Sequence, residues 1–219
     1  MKIQTVVIAT ILLNLPVLSS SQQIWYCASR HDIGKIGLVR ANWPAFGGSN
    51  NFAFPYIDCR TGSDVPTGSC LYQKNPWVTY LDYGIAWVGG VVRGDTLVSS
   101  LAFWPYYLVN ITGDPSEFHP HEYPYRQMEH RSTLNPSAPE FKGAISEQDF
   151  ISISTDTIPE GIKIIPDYFK FRPHIPMGLE FENRSFAWSL GYAEDFVIFE
   201  WLVRNIGDNF IDMLMLALK

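Results

Sequence analysis

Outside the first 21 residues, no stretch of this 219-residue chain repeats its apolar side chains at the 3.6-residue period of a helix. Apolar residues come instead in short runs. Aromatics make up 15% of the chain, and 15 prolines and 16 glycines interrupt it at close intervals. Rings and β-branched side chains fit the pleated surface of a strand, while Pro and Gly set turns. The fold class expected is all-β: antiparallel β-sandwich-like modules carrying long loops.

The clearest strand signal is Phe196-Val197-Ile198-Phe199-Glu200-Trp201-Leu202-Val203. Alternation puts Val197, Phe199, Trp201 and Val203 on one face and Phe196, Ile198, Glu200 and Leu202 on the other. Both faces are largely apolar, which predicts a central strand covered on two sides. Ile85 to Val98 reads as a hairpin whose tip is Arg93-Gly94-Asp95, where the glycine supplies the positive φ of a tight turn. That tripeptide also matches a cell-adhesion recognition sequence, but a glycine-bearing tip accounts for it. Further strands are expected at 36–39, 150–154, 162–165, 181–188 and 210–218. Residues 104–140 are polar, proline-interrupted and without period, a length that marks a functional or linking segment. A boundary is therefore expected near Asn135-Pro136, giving a β-rich region over 22–135 and a sandwich-like module over 136–219. A sandwich uses about seven strands; fewer follow that boundary, so the module reads as incomplete, the N-terminal part of a longer product.

Lys2, the apolar stretch Ile3–Leu18 and the small residues Ser19-Ser20-Ser21 form the three parts of a secretory signal peptide over residues 1–21. A membrane span needs about 20 predominantly apolar residues, and Asn14 and Pro16 interrupt this one. The expected location is outside the cytoplasm, secreted or at the cell surface, with no transmembrane segment after signal cleavage. The formal net charge of −6 lacks the basic footprint that nucleic acid demands. In an exported chain three cysteines leave one unpaired. Cys59 and Cys70 bracket a turn-rich loop and are the expected disulfide, the alternative being three reduced thiols.

Candidate sites are few. His119-Pro120-His121-Glu122 places two imidazoles on one side of an extended chain, and His130 or a nearby carboxylate could complete a tetrahedral metal site; the competing reading is histidines solvated in a polar loop. Glu180 and Glu182, two apart on one strand face, have the spacing of a glycosidase pair but equally that of a solvent-facing strand. Trp104-Pro105-Tyr106-Tyr107 and the run from His119 to Tyr125 could stack on sugar rings, although aromatics in a β protein more often fill the core. Asn110-Ile111-Thr112 and Asn183-Arg184-Ser185 fit the N-glycosylation pattern, which matters only in a eukaryotic pathway. Nucleophile-elbow, zincin and phosphate-loop motifs are absent, so no catalytic residue and no cofactor are expected.

Several short motifs together carry a resemblance. These are Trp87-Val88-Gly89-Gly90 followed by Gly94-Asp95-Thr96-Leu97-Val98, Ser146-Glu147-Gln148-Asp149-Phe150 leading to Thr155-Asp156-Thr157, and Arg172-Pro173-His174-Ile175-Pro176. After them come Arg184-Ser185-Phe186-Ala187-Trp188, Asp195-Phe196-Val197-Ile198-Phe199 and Asn205-Ile206-Gly207. The set resembles large, multi-module exported bacterial surface proteins of the C-terminal sorting-domain type, whose activity is unassigned. The resemblance implies a β-rich surface module and carries over no catalytic residue. The function expected is a non-catalytic structural or adhesion module, with extracellular matrix or glycan as partner. The alternative is a carbohydrate-binding module or an accessory domain of a secreted hydrolase.

Overall fold

The computed structural model describes residues 27–47, 58–63, 65, 70–74, 78–81, 83–99, 117–120, 128–157 and 174–218. The leader at 1–21, the strand expected at 162–165, His121 and the aromatic run at 104–107 lie outside them. The described residues form thirteen strands: β1 (Ala28–His31), β2 (Ile36–Ala41), β3 (Ala45–Gly47), β4 (Cys70–Tyr72), β5 (Thr79–Leu81), β6 (Tyr83–Val92), β7 (Asp95–Ser99), β8 (His119–Pro120), β9 (Glu129–Arg131), β10 (Gln148–Thr155), β11 (Leu179–Ala187), β12 (Val197–Asn205) and β13 (Ile211–Leu218). Among the described residues the one helical element is a 3-10 turn at Pro139–Phe141. The fold is all-β and sandwich-like.

Two antiparallel sheets face each other. The larger, of eight strands, runs β13-β6-β3-β2-β4-β5, with β1 added on β2 and β7 on β6; the smaller, of five, runs β12-β11-β10-β8, with β9 added on β10. Strands from either side of residue 135 interleave in both: β9 pairs with β10, and β13 returns to pair with β6. The chain therefore does not divide near 135, and residues 104–140 contribute β8 and β9 rather than a continuous loop. The reason is that long-range ladders, not local composition, decide which segments share a sheet.

The hairpin forms as its turn chemistry dictates. Val92 pairs with Asp95, and both tip residues have positive φ, 52° at Arg93 and 89° at Gly94, as the tight turn matching strand twist requires. Gly84 serves a different end. It lies opposite Phe46, where a Cβ would meet the Phe46 ring at 2.3 Å. Its bareness lets that ring lie flat on β6 and stack on Phe199 of β12, with centroids 4.4 Å apart.

Between the sheets, Trp43, Val88 and Val92 pack with Phe118, Met177, Leu179 and Phe181. β12 departs from expectation. It pairs with β11 alone among the described strands, and its residues alternate between half-buried and exposed. Among the described strands it therefore stands at the edge of its sheet, not at the centre. Its outer face carries Glu200 and Arg204 in a ladder with Glu180, Glu182 and Arg184, so the apolar outward residues Ile198 and Leu202 stand among charges.

The disulfide also differs from expectation. Cys59 is bonded to Cys27, with Cα atoms 4.8 Å apart, and Cys70 is a free, half-buried thiol on β4. The local loop does not choose the partner. The Cys59 amide donates to Ala28 O at 2.9 Å, and Ala28 bridges to Asp58, so this short parallel contact sets Cys59 beside Cys27. Closing a 32-residue separation stabilises by about 3–4 kcal/mol in the chain-entropy model. Cys27→Ser should lose that amount in urea unfolding, and reductant should bring the wild type down to the same level. Cys70→Ser should change stability little. The reverse order of effects would restore the Cys59–Cys70 pairing.

Candidate functional site

β2 carries a charge into the centre of the sandwich. Arg40, in the apolar run Ile36–Ala41, is 2% exposed, and its Nη2 donates to Asn183 O at 2.6 Å and Ser152 Oγ at 3.0 Å. Burial pushes its pKa down to about 9, which leaves it a cation at neutral pH. Around it lies a polar layer joining the sheets. His31 Nε2 meets Ser185 Oγ at 2.7 Å, Asn183 Nδ2 donates to Ser154 Oγ at 3.1 Å, and Ser29 Oγ bonds His130 Nε2 at 2.9 Å. Both imidazoles pack on Phe150, His31 stacked at 4.1 Å and His130 tilted at 4.7 Å. Burial, reinforced by Arg40, pushes His31 down to about 3. Burial and then Arg60 push His130 down to about 4, with Asp58 opposing.

One side of this layer opens into a cleft of about 440 Å³, with Ser29 and Phe150 in its floor. One wall is the end of β1 with Arg30 and Asp32, and another is the loop of Asp58 and Arg60. β9 and the following turn supply His130, Arg131, Asn135 and Glu140, and β10 supplies Gln148. The walls are tied together before any ligand arrives. The Asp32 amide donates to Gln148 Oε1 at 2.9 Å, while Gln148 Nε2 donates to Arg30 O at 3.2 Å and Asp32 Oδ1 at 3.1 Å. Asp58 Oδ1 accepts from the amides of Arg60 and Thr61, and the Cys27–Cys59 bond fastens that loop to β1.

The Ser29–His130 spacing is that of a nucleophile and its base. Two features speak for a structural bond instead. Ser29 is 1% exposed, and an imidazole that protonates only near pH 4 is a poor proton acceptor at neutral pH. Asp58, which could orient the ring, instead orders its own loop.

The sequence-based sites fare differently. His119 pairs with Thr155 and His130 with Phe150, five positions apart along β10. That is roughly 16 Å, on opposite faces of the sheet, so these two cannot share an ion; His121 lies outside the described residues. Among the described residues no cluster of three His, Cys, Asp or Glu groups could hold a metal. Glu180 and Glu182 do share the outer face of β11, where one guanidinium spans them: Arg204 Nη1 reaches Glu180 at 2.9 Å and Nη2 reaches Glu182 at 2.6 Å. Burial works to raise the Glu182 carboxyl, but Arg184 and Arg204 outweigh it and hold it below the ordinary range, the wrong direction for a general acid. Asn183 is 1% exposed, so the folded chain does not offer it for glycosylation. The cleft and the polar layer were not singled out from the sequence. The signal available was a lone arginine within an apolar strand run, which a buried charge would explain.

Among the described residues no helix is long and apolar enough to cross a membrane. Comparison with protein-family models, with curated proteins and with solved structures finds no match to the chain.

Proposed function

We propose that the protein is an exported, non-catalytic β-sandwich module acting in adhesion, and that it takes a segment of glycan in the cleft beside β1 and β9. The observation that carries this reading is the cleft itself. Guanidinium, carboxylate and amide groups converge on about 440 Å³, and the walls are cross-linked by Gln148 and by the Cys27–Cys59 bond. Planar donors and acceptors of this kind match the paired hydroxyls of a sugar, and rigid walls reduce the ordering cost of binding. Export is supported by the apolar leader and by a disulfide, which persists in an oxidising compartment. The resemblance of the short motifs to those of bacterial surface proteins agrees with a place at the cell surface. A carbohydrate-binding module attached to a secreted hydrolase would use the same cleft.

The test is binding of the full chain to an array of defined oligosaccharides, followed by titration calorimetry on any hit. Arg60→Ala, which removes a side chain from the cleft wall, should weaken binding roughly tenfold, about 1.4 kcal/mol. Absence of any sugar ligand, or a hit untouched by Arg60→Ala, would remove the glycan reading.

A further inference from the structure

Among the described strands β12 has no neighbour on the side away from β11, and this edge carries a self-complementary pattern. Along β12 the residues on the side of Leu202 read Ile198, Glu200, Leu202 and Arg204, and exposed Ile206 follows one residue past the strand's end, giving apolar groups at the ends and centre with opposite charges between. Ile198, Leu202 and Ile206 are each 45% exposed. The ladder with β11 is continuous over nine residues from Val197 to Asn205, with no bulge. No proline or lysine protects the free edge, although edge strands that stay single usually carry such a device.

We propose that this edge is an interface with a second copy of the same chain, made by antiparallel pairing of β12 with β12 and centred on Leu202. A two-fold axis perpendicular to the sheet passes through the Leu202 pair. Glu200 then faces Arg204 of the second copy, and Arg204 faces its Glu200. Ile198 faces Ile206 at each end, and on the other face Trp201 lies opposite Val203. Cross-strand pairs of opposite charge and of matched apolar groups both stabilise a ladder, and the sign reversal about Leu202 excludes a register slipped by two residues, which would set Glu200 opposite Leu202. The two-fold choice follows because an isologous contact needs one surface to be its own complement, and this row is. An unrelated strand would have no reason to find its charges mirrored. The Glu200 carboxylate is available for it, being half-exposed and holding only a 3.3 Å contact with Arg184.

A second exposed row adjoins the first in sequence. β13 leaves β12 after a five-residue link, and its Leu214, Leu216 and Leu218 lie opposite Gly90, Val88 and Ala86. They share the core-facing side of the larger sheet with fully buried Val88, yet remain 47%, 48% and 60% exposed. That row offers a competing place for two copies to meet, which the experiment must separate.

In a Cys70→Ser background, Leu202→Cys places two thiols across the axis at the Cα separation of about 4.5–5.5 Å expected of an antiparallel pair, within disulfide reach. The full chain should sediment as a dimer at tens of micromolar. Leu202→Cys should cross-link on mild oxidation, and Leu214→Cys should not. Leu202→Lys, at an exposed position that leaves the fold intact by circular dichroism, should raise the dimer dissociation constant on the order of 10-fold by removing the central apolar pair and setting like charges face to face. A monomer at every accessible concentration overturns the proposal. So does a dimer that Leu214→Cys traps and Leu202→Cys does not, or one indifferent to Leu202→Lys.

Discussion

Lowering the pH from 6.5 to 5 should already destabilise the fold, before the carboxylates begin to titrate. In the unfolded chain an imidazole takes its proton near pH 6.5, whereas folded His31 resists until about 3 and His130 until about 4. Between those values the unfolded state binds more protons, so stability is complete above 6.5 and is lost as pH falls. For His31 the full difference is on the order of 3–5 kcal/mol, and His130 adds to it. The groups around His31 reinforce the effect, since Arg40 and His130 oppose a second positive charge and only the nearby Gln148 amide favours it. His174 works the other way. Burial opposes its charge, but Glu117 at 3.4 Å and the Asp156 carbonyl hold its pKa above the usual value, so its contribution is complete below 6.5 and disappears as pH rises. Glu182 acts only below about 4.5, its ordinary value. The slope between pH 6.5 and 5 therefore belongs to His31 and His130. Urea midpoints should fall steadily across that interval, and His31→Gln should flatten much of the slope. A flat wild-type profile would mean that the polar layer admits water freely.

Asp156→Ala should cost about 4–5 kcal/mol, since it strands several buried donors at once. Asp156 is 0% exposed. Its Oδ2 accepts from Ser99 Oγ at 2.8 Å and the Met177 amide at 2.7 Å, and its Oδ1 from the Leu179 amide at 2.6 Å. One carboxylate thus clasps the end of β7 in the larger sheet to the start of β11 in the smaller. Ser99→Ala removes a single donor and leaves the carboxylate with two, so about 1 kcal/mol is expected there. Comparable losses for the two variants would show that the clasp does not act as a unit. Asp149 does related work at the other end of β10, accepting from the amides of Ile145 and Ser146 and from the Ser146 hydroxyl. The Ser-Glu-Gln-Asp-Phe and Thr-Asp-Thr segments thus supply the two carboxylate clasps.

The cleft was the least legible feature. Its residues come from four separate stretches, and none forms a recognisable motif alone. Arg60 sits in a turn that spacing along the chain assigns to a Cys59–Cys70 loop, and the same kind of spacing groups His130 with His119. Separation along the chain says nothing about which face of a sheet two histidines occupy. The register on β10 shows the two pointing to opposite faces.

What the sequence determined by itself is whatever depends on neighbours along the chain. Period-two alternation and turn chemistry mark out β2, the β6–β7 hairpin, β10, β11, β12 and β13, because pleat direction and positive φ are local properties. Tertiary structure alone decided which cysteine meets Cys59, that β12 stands at an edge, and that Arg40 is enclosed. Arg40 is held by Ser152 and Asn183, separated from it by 112 and 143 residues. Alternation says that a strand has two faces, but only the ladders formed with distant segments say which face, and which edge, is covered.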